Sequence, residues 1–214
     1  MRIATKDKIL NTAERLFAER GFTDTSLRLI TSHADVNLAS VNYHFGSKKE
    51  LIQAVLRRYL DAFMPLVDEA MQVHLDSAEA PNLNQVFASF AKPLLEMNRI
   101  QQHGTAMFLL LLGRGYTDEQ GHLRRYITQN FGQTIDKFRQ VVSRAYPELS
   151  PVDMFWRLHF TLGTVIFTMA SSAALRDIAA SDYGEKVNIE SLIYKVLPYL
   201  CAGVGAPIGP LTLD

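Results

Sequence analysis

Residues 25–50 read TSLRLITSHADVNLASVNYHFGSKKE, and the placing of cap residues and apolar positions in this run decides the fold. Thr25 and Ser26 suit the start of a short helix that buries Leu27, Ile30 and Ala34. Asp35, Val36 and Asn37 make a tight turn, and a second short helix is expected over about Leu38 to His44. Two short helices joined by about three residues have helix-turn-helix spacing, in which the second helix enters a DNA major groove. At about 100° per residue, Val41 and Phe45 point inward with Leu38 near them. Ala39, Ser40, Asn42 and Tyr43 then spread over the other side, with His44 at its flank. A purely structural three-helix head shares this spacing, so geometry alone leaves both readings open.

The outward side chains are small, amide or aromatic rather than long Glu, Lys or Arg, which suits close approach to base edges. Asn42 matches a bidentate pair with adenine, and the Ala39 methyl matches a thymine methyl. Ser40 bonds several bases and discriminates less, while Leu38 is either core or a thymine contact. Tyr43 and His44 are placed to reach the DNA backbone, and Ser26, at the start of the preceding helix, is a further DNA-binding candidate. Arg28 reaches phosphate or a guanine edge. Lys48 combines a cation with the free N–H groups of a helix start, a phosphate clamp.

Outward from this run, apolar residues recur at three- and four-residue spacing, and no strand pattern emerges. A first helix is expected over about Thr5 to Arg20, stopped by Gly21. Ser47-Lys48-Lys49-Glu50 reads as a capping box opening a long helix bent at Pro65. Further helices are expected near 83–99, 103–114, 118–146, 151–180 and 189–203, about nine in all. The fold class is therefore all-α, with a head over 1–47 and a larger helical body over 48–214.

The 214 residues carry 22 basic and 22 acidic side chains, yet the balance is uneven. Residues 1–60 hold ten Lys/Arg against six Asp/Glu, leaving the remainder acidic, as expected if only the head meets phosphate. One cysteine, Cys201, excludes a disulfide framework and fits a reducing cytosol, and no secretion signal is expected from MRIATKDKIL. The cytoplasm is the expected location. Leu158 to Leu175 lacks a charged residue but holds His159 and several hydroxyls, so a buried interface helix is expected rather than a membrane span.

In the body, Met107-Phe108-Leu109-Leu110-Leu111-Leu112 is apolar all round and must be buried. Arg114 follows it, either to hold a ligand carboxylate or phosphate, or to offset the helix dipole. Met97, Met107, Phe108, Leu111, Phe138, Trp156, His159 and Phe160 are the candidate apolar lining of a small-molecule pocket, with plain core as the alternative role. Gly163, Ala170 and Ala174 form a stripe of small side chains that lets another helix approach, as a subunit contact or as packing within the chain, and Phe167 joins them as an expected dimer-interface residue. The six histidines show no metal-ligand spacing, so no metal and no cofactor are expected. Ser89-Phe90-Ala91-Lys92 lacks the partner motifs of Ser-x-x-Lys catalysis, so the chain is not expected to be an enzyme. The rival is an all-helical enzyme or lipid-binding module whose basic head does not read DNA.

The head resembles that of TetR-family transcriptional regulators. Val36, Val41, His44, Phe45, Ser47, Lys48 and Leu51 stand at the matching places. Asp35 replaces the usual turn glycine, which a residue tolerant of left-handed backbone allows, and Asn42 replaces the usual tyrosine. VNLASVNYHFGSKKELIQAV, QGHLRRY (120–126), FWRLHF (155–160) and ALRDIAASDYG (174–184) are similar to the PsrA-like branch, regulators of fatty-acid β-oxidation. The resemblance implies a homodimeric repressor that leaves operator double-stranded DNA on binding a long-chain fatty acid or acyl-CoA. No membrane partner is implied.

Overall fold

The computed structural model describes residues 4–116 and 122–207. All regular structure among them is helical: α1 (Thr5–Arg20), α2 (Leu27–Ala34), α3 (Leu38–Phe45), α4 (Lys48–Asp76), α5 (Leu83–Ala88), α6 (Ala91–Glu96), a 3-10 turn (Met97–Arg99), α7 (Gly104–Tyr116), α8 (His122–Ala145), α9 (Pro151–Ala170), α10 (Ser172–Tyr183) and α11 (Ile189–Val204). The start expected near residue 118 lies outside the described residues.

Side-chain caps set most of these boundaries. Ser26, Asn37, Ser47, Asn82, Ser150 and Asn188 each accept a hydrogen bond from an N–H in the first turn of the helix they open. The reciprocal capping box occurs at Asn82 and Gln85. At Ser47 the expected box takes a different form, because the Ser47 hydroxyl donates to Glu50 Oε2 at 2.8 Å while the Ser47 N–H bonds Phe45. Asp35 closes α2 in the left-handed region (φ 53°, ψ 54°), the conformation that lets it stand in for glycine.

Two expected helices are broken. The stretch 83–99 divides into α5, α6 and the 3-10 turn. Pro93 has no N–H to bond the Ser89 carbonyl four residues back, and the Ser89 hydroxyl turns onto the Gln85 carbonyl at 2.8 Å. The stretch 151–180 bends by 69° between α9 and α10, at Ser171, whose backbone (φ −92°, ψ 9°) leaves the helical range. Among the described residues no single helix is long and apolar enough to cross a membrane, and α9 with α10 passes that test only as the bent pair.

One apolar core runs from head to body. Ile9, Ala13, Leu16 and Phe17 of α1 meet Ile30, Val41 and Phe45, and the cluster continues through Leu51, Val55 and Tyr59 of α4 to Phe108 and Leu111 of α7. Beyond it α4 lies along α8, while α7, α9 and α11 close the far side with α5 and α6. A Cβ at Gly113 would stand 2.6 Å from Ile166, so a bare α-carbon is what lets α7 approach α9.

A carboxylate sits inside this core. Glu14 of α1 is 2% exposed and accepts from Arg58 Nη1 and from the Tyr59 hydroxyl, both at 2.8 Å. Gln101 Nε2 donates to the same hydroxyl at 2.7 Å. Burial, and then the Glu14 charge, push the Tyr59 phenol far above its ordinary range, so it stays a donor. Arg57 reaches the other way, donating from Nε to Tyr126 of α8 at 3.0 Å. Replacing Glu14 with Ala strands a buried phenol and a half-buried guanidinium, for an expected loss of about 2–4 kcal/mol in urea unfolding. A change under about 0.5 kcal/mol would show that the network is dispensable.

Candidate nucleic-acid interface and effector cavity

The head presents α3 to solvent. Val41 is fully buried and Phe45 nearly so, whereas Ala39, Asn42 and Tyr43 are exposed, Tyr43 to 85%. Leu38 is 40% exposed, at the helix entrance, and both Ser40 and His44 are half-buried. The Ser40 hydroxyl donates to Asn37 Oδ1 at 2.8 Å, so the cap already engages the proton this residue would offer a base. Ser26 and Arg28 are exposed on the same head, Ser26 engaged as the α2 cap through the Leu29 N–H at 3.1 Å. Lys48 is half-buried and donates to the Thr23 carbonyl at 3.2 Å. Burial lowers the proton affinity of its amine and Asp24 partly restores it, so in this arrangement the lysine ties α4 to the α1–α2 loop.

The body holds an apolar cavity of about 180 Å³ between α4, α5, α6, α7, α8, α9 and α11. Phe63, Phe90 and Leu109 are among its lining, and α9 contributes Leu158, Thr161, Leu162, Val165 and Met169. Of the nine expected lining residues, Phe108 and Phe138 reach it. Met97 and Leu111 are fully buried as core, and Met107 packs beside them. Arg114 is exposed and lies against Gly21 of the head, so it is not the cavity's cation.

Trp156, His159 and Phe160 are on the wrong face for a lining. They point outward on α9, with Trp156 54% and Phe160 66% exposed and their rings stacked 6.0 Å apart. His159 is also exposed and donates from Nδ1 to the Phe155 carbonyl at 2.6 Å. Both faces of α9 are apolar, so size drew the aromatics to the pocket while the run 158, 161, 162, 165, 169 carried the helical spacing that marked the true lining.

The outer face continues through Gly163, beside which a Cβ would meet nothing within 4 Å, and Phe167, 64% exposed. Ala170 is half-buried at the end of α9. Ala174 falls out of the expected stripe, because the bend at Ser171 puts it on α10, exposed and out of register.

Comparison with known proteins places this geometry in a class. The signature "Bacterial regulatory proteins, tetR family" matches residues 9–55, and "Tetracyclin repressor-like, C-terminal domain" matches residues 88–203. The chain belongs to the TetR family of transcriptional regulators, a class of DNA-binding proteins rather than enzymes. It is similar to the probable HTH-type transcriptional regulator YttP of Bacillus subtilis, 33% identical over 41% of this chain and 42% of that one. The chain thus spans less than half the length of that relative.

Solved structures match over nearly the full length. A TetR-like regulator from Rhodococcus sp. RHA1 covers 97% of this chain and 99% of its own at 18% identity, with a TM-score of 0.58. The ketosteroid transcriptional regulator KstR2 of Mycobacterium tuberculosis covers 95% and 96% at 21% identity, with a TM-score of 0.54. These likenesses show the fold.

The two faces of α3 predict opposite responses. Phe45→Ala should cost about 3–5 kcal/mol of stability through the hole it leaves, while Tyr43→Ala should stay within about 0.5 kcal/mol. Chemical denaturation reads both. A large loss from the tyrosine change would mean that its ring supports the head rather than facing a partner.

Proposed function

We infer that the protein is a homodimeric, ligand-responsive repressor that binds operator DNA and is released by a hydrophobic effector, a long-chain fatty acid or acyl-CoA, controlling genes of fatty-acid metabolism. The functional division falls at residues 47 and 48, with DNA reading in the head and effector binding and dimerisation in the body. A regulator of this kind works in the cytoplasm, where the DNA is.

One observation carries the DNA reading: α3 is locked by Val41 and Phe45 on one side and offers Ala39, Asn42 and Tyr43 to solvent on the other. Asn42 and Ala39 read base edges, Leu38 touches a thymine methyl, and Tyr43, His44, Ser26, Arg28 and Lys48 hold the backbone, Lys48 by leaving Thr23. Ser40 keeps its acceptor lone pair for a base.

The apolar cavity supports an effector of low polarity. The resemblance to fatty-acid regulators narrows the class. Release follows a physical route. Phe108 lines the cavity and lies stacked on Tyr59 with centroids 5.6 Å apart, and Tyr59 holds Glu14 of α1. An occupant that displaces Phe108 shifts α4 against α1, and the two recognition helices of a dimer lose the spacing of successive major grooves, about 34–36 Å. The effector must favour the DNA-incompetent arrangement to have this action.

The outer face of α9, with Trp156, Phe160, Gly163 and Phe167, supports self-association, since so much clustered aromatic surface is unusual on a monomer.

Gel retardation on DNA upstream of the protein's own gene tests the DNA reading. Retardation should be lost with Asn42→Ala and Tyr43→Ala in folded protein, and unchanged retardation would refute the surface. Palmitate or palmitoyl-CoA should raise the melting temperature and weaken retardation. If C16–C18 compounds do neither while another metabolite class acts, the effector assignment is wrong. Phe160→Arg should convert dimer to monomer in sedimentation, and an intact dimer would move the interface elsewhere.

A further inference from the structure

A second apolar chamber of about 160 Å³ adjoins the cavity. Both are lined by Phe63, Phe90, Phe108, Leu112, Phe138 and Leu162, so these six side chains form the wall between them. Four of the six are phenylalanines whose rings meet edge or tilt first, with centroids 5.1 Å apart for Phe63–Phe108 and for Phe90–Phe138, and 6.4 Å for Phe63–Phe90. Phe63, Phe90 and Phe138 are only half-buried. Half-buried rings of this kind change rotamer faster than helices move, so opening such a wall calls for no movement of a helix.

Each chamber alone lies below the range of about 300–1,000 Å³ in which ligand pockets fall, and joined they reach its lower end. Any path from one chamber to the other narrows to a waist between the six shared side chains. An unbranched methylene chain passes such a waist, whereas a rigid fused-ring body does not.

Charge decides the orientation. Beyond Met64 and Thr134, the second chamber adjoins a groove carrying Asp68, Glu69, Asp76 and Asp136 against Lys137, and Lys137 already donates to Asp68 at 2.7 Å. An anionic group is repelled there. The second chamber is also lined by Tyr116, which at 44% exposed reaches the protein surface, with the exposed Arg124 of α8 close enough that its charge opposes the effect of burial on the phenol.

We propose that the two chambers form one channel, parted by the phenylalanine wall, which a single unbranched acyl chain fills with its carboxylate at the Tyr116 mouth beside Arg124. The proposal rests on reading the body as an effector domain, and it fixes the shape and direction of the ligand.

Calorimetric titration of the full-length protein with free fatty acids from C8 to C18 tests it without DNA. One channel predicts affinity rising about fourfold per added methylene through C16, the increment for burying one such group. A plateau by C10, or binding of no fatty acid, overturns it, as does a 3-ketosteroid that matches palmitate. Arg124→Ala should weaken palmitate about tenfold and hexadecanol less than twofold, and equal losses overturn the orientation. Phe138→Trp, which thickens the wall, should weaken palmitate about tenfold and octanoate less than threefold. The wild-type length series decides the matter even if that variant fails to fold. A complete channel pattern without release of DNA would support the channel and refute the effector reading alone.

Discussion

The buried carboxylate of Glu14 is the constraint on which the arrangement of head and body depends. A charge taken out of water costs several kcal/mol unless it is met by donors of matched geometry. Here the donors, Arg58 and Tyr59, lie next to each other on α4, so α1 has one favourable setting against that helix. The apolar contacts around the site are less selective, because Ile9, Leu16 and Phe17 find hydrophobic neighbours over a range of small displacements. Polar pairing inside the core thus fixes an angle that apolar packing alone leaves loose.

That same tyrosine faces the body. Its ring lies nearly parallel to Phe108, and Phe108 belongs to the wall of both apolar chambers. The phenylalanines of that wall meet in the edge and tilted contacts that aromatic rings favour, and the chambers lie on either side of them. The rings come from α4, from the start of α6, and from α7 and α8, residues far apart in the chain. The link from chamber to head is therefore a short series of direct contacts.

α9 shows how one helix serves two surfaces. Leu158, Leu162 and Val165 face the cavity, and Trp156, Phe160 and Phe167 face outward. The apolar spacing of α9 runs on both sides, although within the chain only the cavity side is covered. Hydrophobic spacing marks both faces of such a helix alike, and it gives no means of telling which one the chain itself covers.

How much was legible follows from how local each signal is. The head could be read almost residue by residue, since Ser26, Asp35, Asn37, Val41, Phe45 and Ser47 act within one or two turns of their own positions. The lining from α9 was present as regular spacing but masked by larger aromatics on the other face. Glu14 left only a faint trace, a charge at helical spacing between Leu10 and Phe17. Its partners stand more than forty residues away, and pattern within one helix does not name them.

The sequence by itself determined the helical class, the head and its outward side chains, because caps, turns and apolar spacing are properties of neighbouring residues. Only the tertiary structure decided which face of α9 lines the chambers, where residues 151–180 bend, and that Arg114 lies against Gly21. Those outcomes depend on which distant surfaces compete for the same apolar area, and that competition is settled by packing in three dimensions.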